Sequence, residues 1–145
     1  MAKEYDPRMH SAEHILNQTM VRMFNRGRSF SAHIEKKKSK CDYRFDRNLT
    51  GQEVQEIEAR VNGVIGLNLE VTETSMERSD ADRLFDLQRL PDTAGETLRI
   101  IRIGNYDACP CRGGHVRSTA EIGTFRIIST SHEAGVLRVR FRLDE

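Results

Sequence analysis

The sequence predicts an α+β domain in which helices pack on a mostly antiparallel sheet, and three observations carry that prediction. Apolar residues recur at helical spacing in two long stretches. Several other stretches alternate polar and apolar residues, as half-buried strands do. The resulting order, helix, hairpin, helix, strand, helix and then strands, fits helices laid on an antiparallel sheet. At 145 residues the chain suits one domain, taken as residues 1–145.

Asp6-Pro7 is a helix start, an N-cap acceptor followed by the ring that suits the first helical position. Met9, Ala12, Ile15, Leu16, Thr19, Met20 and Met23 then form one apolar stripe, which predicts a helix to about Asn25, closed by Gly27. His10 and His14 fall well off the centre of that stripe, at about 100° per residue. Ser29 to Ile34 leads into a hairpin with its tip at Glu35–Lys40 and a return strand at Cys41–Phe45, where Cys41 packs as a small apolar residue. Thr50 with Glu53 is a capping box, and Val54, Ile57, Val61, Val64 and Ile65 carry a second helix to Gly66. A strand over Leu67–Thr74, a short helix over Ser79–Gln88, a loop at Pro91–Gly95 and a buried strand over Leu98–Ile103 follow. Gly104-Asn105 turns the chain into Tyr106-Asp107-Ala108. A terminal hairpin, 123–130 and 136–143, turns at His132–Gly135.

Composition narrows the function. With 37% hydrophobic and 31% charged residues and no tryptophan, the chain reads as globular with a heavily solvated surface. No apolar run is long enough for a membrane span, and the charged start is no signal peptide, so the expected location is the cytoplasm, with no membrane partner. Three cysteines without an export signal suggest metal binding or free thiols rather than disulfides. A net charge of +1 means that any RNA contact rests on a local patch. Lys36, Lys37, Lys38 and Lys40 form the densest positive cluster and are the candidate phosphate contacts. The arginines of the last strand are read as the polar side of a half-buried strand.

Two segments carry the chemistry. His10-Ser11-Ala12-Glu13-His14 places two imidazoles one helical turn apart, and Cys109-Pro110-Cys111-Arg112-Gly113-Gly114-His115 offers thiols and a third imidazole on a chain that its glycines let fold tightly. Imidazole and thiolate suit a borderline-soft divalent ion, so His10, His14, Cys111 and His115 are the candidate ligands of one zinc ion. Four protein ligands favour a structural site, unless the shell expands or one candidate is not a ligand; with water bound, zinc would support hydrolysis. Glu13 projects about 100° round the helix from His14 and is expected to be a surface carboxylate. No nucleophile elbow, phosphate-binding glycine loop or dinucleotide fingerprint is present, so no nucleotide cofactor is expected and no side chain is assigned as catalytic.

His-x-x-x-His followed much later by Cys-x-x-x-His resembles the editing domain of alanyl-tRNA synthetases and the free-standing AlaX-type alanyl-tRNA editing proteins, to which the second additional domain of threonyl-tRNA synthetases is related. Tyr43-Arg44-Phe45-Asp46, Leu49-Thr50, Ile57-Glu58, Val61-Asn62, Ile101–Gly104, Cys111–Val116 and Thr119–Gly123 extend the resemblance over nearly the whole chain. It implies the editing-domain fold, zinc on His10, His14, Cys111 and His115, and a trans-editing, metal-dependent aminoacyl-tRNA deacylase. Water on the metal would attack the ester that joins a wrong amino acid, serine or glycine, to alanine tRNA. It also implies a substrate-facing polar residue on the strand after the first helix, where Ser31 and His33 stand. Arg112 and Gly114 depart from the family's Cys-Gly-Gly-Thr-His, its glutamine-lysine-glycine stretch is not evident, and Cys109 is additional. The expected organisation is a single editing-type domain without an aminoacylation domain or an N-terminal glycine-rich barrel. A non-catalytic module with structural zinc, binding tRNA or a synthetase, is the alternative.

Overall fold

Helix α1 (Pro7–Phe24) begins where Asp6 caps it, its carboxylate accepting from the backbone N–H groups of Arg8 and Met9. Such a cap is worth about 1 kcal/mol. The computed structural model describes residues 6–85 and 97–144. Asn25, at φ 55°, closes α1 in the left-handed region two residues before the expected Gly27. Asparagine tolerates that region, so the helix had an earlier stop than its first glycine.

The lysine hairpin forms with a shorter tip than expected: β1 is Ser31–His33 and β2 is Ser39–Arg44, which draws Ser39 and Lys40 into the sheet. Ser39 Oγ accepts from Glu35 N at 2.9 Å and donates to Glu35 O at 3.0 Å, closing the loop. Helix α2 (Gly51–Gly66) has the capping box of Thr50 and Glu53 at its start. It is followed by β3 (Val71–Glu77), four residues later than the alternation suggested. The reason lies at the end of α2, where Leu67 N and Asn68 N still bond back to Val64 O and Ile65 O. Helix α3 is Arg78–Leu84; the expected continuation to Gln88 and the Pro91–Gly95 loop lie outside the described residues. Strand β4 (Thr97–Ile103) matches its expected position, and an unforeseen strand, β5 (Asp107–Pro110), pairs with it. A single 3-10 turn at Thr119–Glu121 leads to β6 (Thr124–Glu133) and β7 (Val136–Asp144). Their connection is Ala134-Gly135, both at positive φ (51° and 77°), the handedness that a two-residue hairpin demands.

The sheet is two sheets, both wholly antiparallel: β1-β2-β7-β6 and β3-β4-β5. Helices α1 and α2 cover the inner face of the larger one, where Cys41, Tyr43, Phe125, Leu137, Val139 and Phe141 meet Met9, Ile15, Leu16, Met20, Ile57 and Val61. Asn17 ties the layers together, its Oδ1 accepting from Tyr43 Oη at 2.8 Å and from Ser29 N at 3.0 Å. Helix α1 is therefore enclosed on more than its apolar stripe. His10, Ser11, Glu13, His14 and Asn17 are all buried beside that stripe. Among the described residues no helix is long and apolar enough to cross a membrane.

Candidate metal centre

The helical turn between His10 and His14 sets their rings edge to face with centroids 4.9 Å apart. The second half of the cluster arrives from the smaller sheet. Beyond β5, Cys111 N bonds to Arg99 O at 3.2 Å, and Arg99 Nη1 donates to Gly113 O at 2.7 Å, so one residue of β4 grips both sides of the turn. Gly113 sits at φ 96°, which an L side chain rarely adopts, and this lets the chain double back on α1. His115 then stacks on His10 at 4.0 Å and meets His14 edge on at 4.6 Å, with its Nε2 3.2 Å from Cys111 Sγ. One ligand atom from each of His10, His14, Cys111 and His115 falls within 4.8 Å of all the others. Tetrahedral zinc, with bonds of about 2.0–2.3 Å, holds its ligand atoms about 3.3–3.7 Å apart, so the group is closed to within about an ångström.

The outward nitrogens each face an oxygen. His10 Nδ1 donates to Gly114 O at 3.1 Å, His115 Nδ1 is 2.9 Å from Ser11 Oγ, and His14 Nδ1 faces Asp107 Oδ2 at 3.5 Å. A carbonyl and a carboxylate only accept, so the protons of His10 and His14 sit on Nδ1 and leave the Nε2 lone pairs for an ion. The His14 contact is an ion-pair distance rather than a formed hydrogen bond, and Nδ1 is a buried nitrogen still short of a partner. A carboxylate facing the second nitrogen of a buried imidazole is the usual backing of a histidine that could hold a metal.

Asp107, with its side chain fully buried, was not singled out from the sequence. Arg28 clasps it at 2.7 and 3.3 Å, and Gln18 Nε2 donates to it at 2.9 Å. Burial alone would raise its pKa, but His14 and Arg28 together hold it well below the usual carboxylate range. Burial likewise opposes the charge on Arg28, and Asp107 more than offsets this. Burial pushes the Cys111 thiol up to about 12, with Cys109 adding to the effect. His115 is held neutral by burial and by the neighbouring His14 and His10. Cys111 is thus a thiol and His115 a neutral ring, and an ion held by the four side chains would displace the thiol proton. Nitrogen and sulfur donors fit zinc and not calcium or magnesium, which take oxygen.

The other expected site residues fall elsewhere. Glu13 is a correction: it is 4% exposed, with Oε1 3.9 Å from His10 Nε2, and it lies near enough to Cys111, Arg28 and Tyr43 to act on each of them electrostatically, so segments distant in sequence enclose it. Cys109 donates to Pro110 O at 3.4 Å and is not one of the four clustered donors, and Cys41 is buried in the core. Ser31 and His33 register with Asp42 and Lys40 on the face of the larger sheet turned away from α1, so the fold does not bring them to the cluster. From the segment after α1 it is Arg28 and Ser29 that reach the cluster's surroundings. Lys36, Lys37 and Lys38 are exposed at the hairpin tip, while Lys40 is half-buried in β2. A local signal for Asp107 existed in the end of β4 and the Gly104-Asn105 turn, which imply a returning strand with one buried side.

Residues 98–140 match the model of the threonyl and alanyl tRNA synthetase second additional domain. Over 91% of its length the chain is 31% identical to alanine–tRNA ligases of Neisseria meningitidis serogroup B and of Coxiella burnetii. It is 29% identical over 90% of its length to that of Ligilactobacillus salivarius. The chain spans about 15% of the length of these curated relatives.

Proposed function

Because the chain is related to the threonyl and alanyl tRNA synthetase second additional domain, we propose that it is a zinc-dependent deacylase that removes a wrong amino acid, serine or glycine, from alanine tRNA in trans. The observation that carries the reading is the cluster: two histidines from α1 and a cysteine and histidine about a hundred residues later meet with each ring's second nitrogen turned to an oxygen.

Hydrolysis cleaves the ester C–O bond, adding the oxygen of water to the carbonyl carbon and a proton to the ribose hydroxyl that leaves. His10, His14, Cys111 and His115 would hold the ion, which when bound supplies a Lewis acid able to polarise the carbonyl and bring the pKa of water to about 7. Asp107, Ser11 and the Gly114 carbonyl orient the three rings, and Arg28 and Gln18 fix Asp107 in turn. A pocket that hydrogen-bonds the serine hydroxyl rejects alanine more strongly than an apolar pocket could reject serine. The reading puts the chain in the cytoplasm, where tRNA is charged.

A second reading has one observation in its favour. Four protein donors are a closed shell, which suits structural zinc in a module that binds tRNA or a synthetase without turnover. Incubating the protein with seryl-, glycyl-, threonyl- and alanyl-tRNA, with and without chelator, separates the two. Metal-dependent loss of the seryl or glycyl ester with alanyl-tRNA spared is the expected result; binding without loss of any ester would establish the module instead.

A further inference from the structure

Four side chains from four strands line up across the outer face of the larger sheet. His33 on β1 registers with Lys40 on β2, Lys40 with Arg140 on β7, and Arg140 with Ser129 on β6. Cross-strand partners share a face. This one points away from α1, since Tyr43 and Cys41 on the other side of β2 are the residues packed against the helix and core. His33, Lys40 and Arg140, with Glu35, Lys38 and Ser39, line an open groove of about 260 Å³.

Like charges directly opposite each other destabilise a sheet. Elsewhere on this face the cost is met. Arg138 is bound to Asp42 through two hydrogen bonds of 2.7 and 2.9 Å. Arg126 and Arg142, also opposite each other, both reach Asp144. Lys40 and Arg140 face each other with no carboxylate of the described residues at ion-pair distance; Asp42, already bound to Arg138, attracts both only from farther off, and Glu35 is the one acidic residue lining their groove. Lysines that blunt an exposed edge belong on edge strands, and the edge strand β1 (Ser31–His33) holds none. They do not account for Lys40 and Arg140, which lie on the two interior strands of the order β1-β2-β7-β6.

We propose that this row binds the phosphodiester backbone of RNA and, resting on the function proposed above, that the RNA is tRNA. A line of imidazole, ammonium, guanidinium and hydroxyl groups matches a chain of spaced phosphates, with Arg140 able to take two oxygens of one phosphate at once. Lys36, Lys37 and Lys38 extend the positive surface from the hairpin tip, and the Ser39–Glu35 closure holds that tip beside the groove. Since the whole chain carries only +1, the patch also orients the encounter. The row lies on the opposite side of the sheet from His10 and His14. Its contacts therefore go to unreacting parts of the substrate, bind ground and transition states alike, and lower KM without changing kcat.

The test is fluorescence anisotropy with labelled, uncharged alanine tRNA over a salt series, using Lys40→Glu, Arg140→Glu and the double variant, with Arg60→Glu on α2 as control. The double variant is expected to bind about tenfold or more weakly, with a salt slope shallower by about one to two. Its circular dichroism, its zinc content and its hydrolysis of a seryl ester on the terminal adenosine alone should stay at the wild-type values, as should tRNA binding by Arg60→Glu. An unchanged Kd and slope in the double variant overturn the proposal, as does equal weakening by Arg60→Glu. A chain that binds through this row and hydrolyses nothing sinks the deacylase and leaves the row standing; a chain that hydrolyses without needing the row does the reverse.

Discussion

Asp107 Oδ2 stands 3.5 Å from His14 Nδ1, with the carboxylate buried and anchored from behind by Arg28. A residue of β5 thereby sets the ring of a residue on α1, and the other edge of that ring faces three further side chains that could hold a metal ion.

Asp107→Asn leaves the Arg28 guanidinium without its carboxylate and should lower stability, and in the folded protein it is expected to lower zinc affinity about 10- to 100-fold, the usual cost of losing a carboxylate behind a ligating imidazole. Competition with a chromogenic chelator measures it. Unchanged affinity would show that Asp107 serves Arg28 alone.

Removing the ion should cost stability, because binding to the folded chain adds RT ln(1 + [L]/Kd), about 4 kcal/mol at a thousand times Kd. Chelator is expected to lower Tm in the wild type and to leave Cys111→Ala, which lacks one of the four donors, unmoved. Equal shifts in both proteins would place the ion elsewhere.

Asn17→Ala removes the one oxygen that accepts from both Ser29 N and Tyr43 Oη, and with it two buried hydrogen bonds. At about 1–3 kcal/mol for each, the variant should unfold at clearly lower urea with an unchanged m-value. A loss below about 1 kcal/mol would mean that the donors find other partners.

Acid should unfold the protein through its depressed carboxylates. Asp107 titrates low because His14 and Arg28 outweigh the opposing effect of burial, and Glu53 is lowered to about 2, chiefly by hydrogen bonds from Arg47. Both carboxyls have folded pKa values below the unfolded ones of about 4, so their stabilisation is complete above about pH 5 and is lost as pH falls through that window toward about 2. Urea titrations over pH 2–6 should show this slope, flattened in Asp107→Asn. Glu53→Gln should change it by less than about 1 kcal/mol, since its pair with Arg47 is at the surface and screened.

Local rules made a good part of this molecule readable. Asp6-Pro7, the Thr50–Glu53 box, the apolar stripes of α1 and α2 and the alternation of β7 each depend on neighbours within a turn or a strand, and each stands where its spacing put it. The pairing of His10 and His14 with Cys111 and His115 was legible for a related reason, because metal donors have few other uses at such spacing. What stayed hidden were facts about packing between distant segments. Glu13 is buried among residues distant from it in sequence, Asp107 matters because β5 pairs with β4, and Lys40 meets Arg140 because β2 and β7 pair in one register. A one-residue slip between β2 and β7 would put Lys40 and Arg140 on opposite faces of the sheet. The amino-acid order by itself determined most of the elements, β5 excepted, and which side chains could bind an ion. The tertiary structure alone decided which residues stand behind those ligands and which charges share a face, because both depend on strand pairing and helix packing that no local stretch encodes.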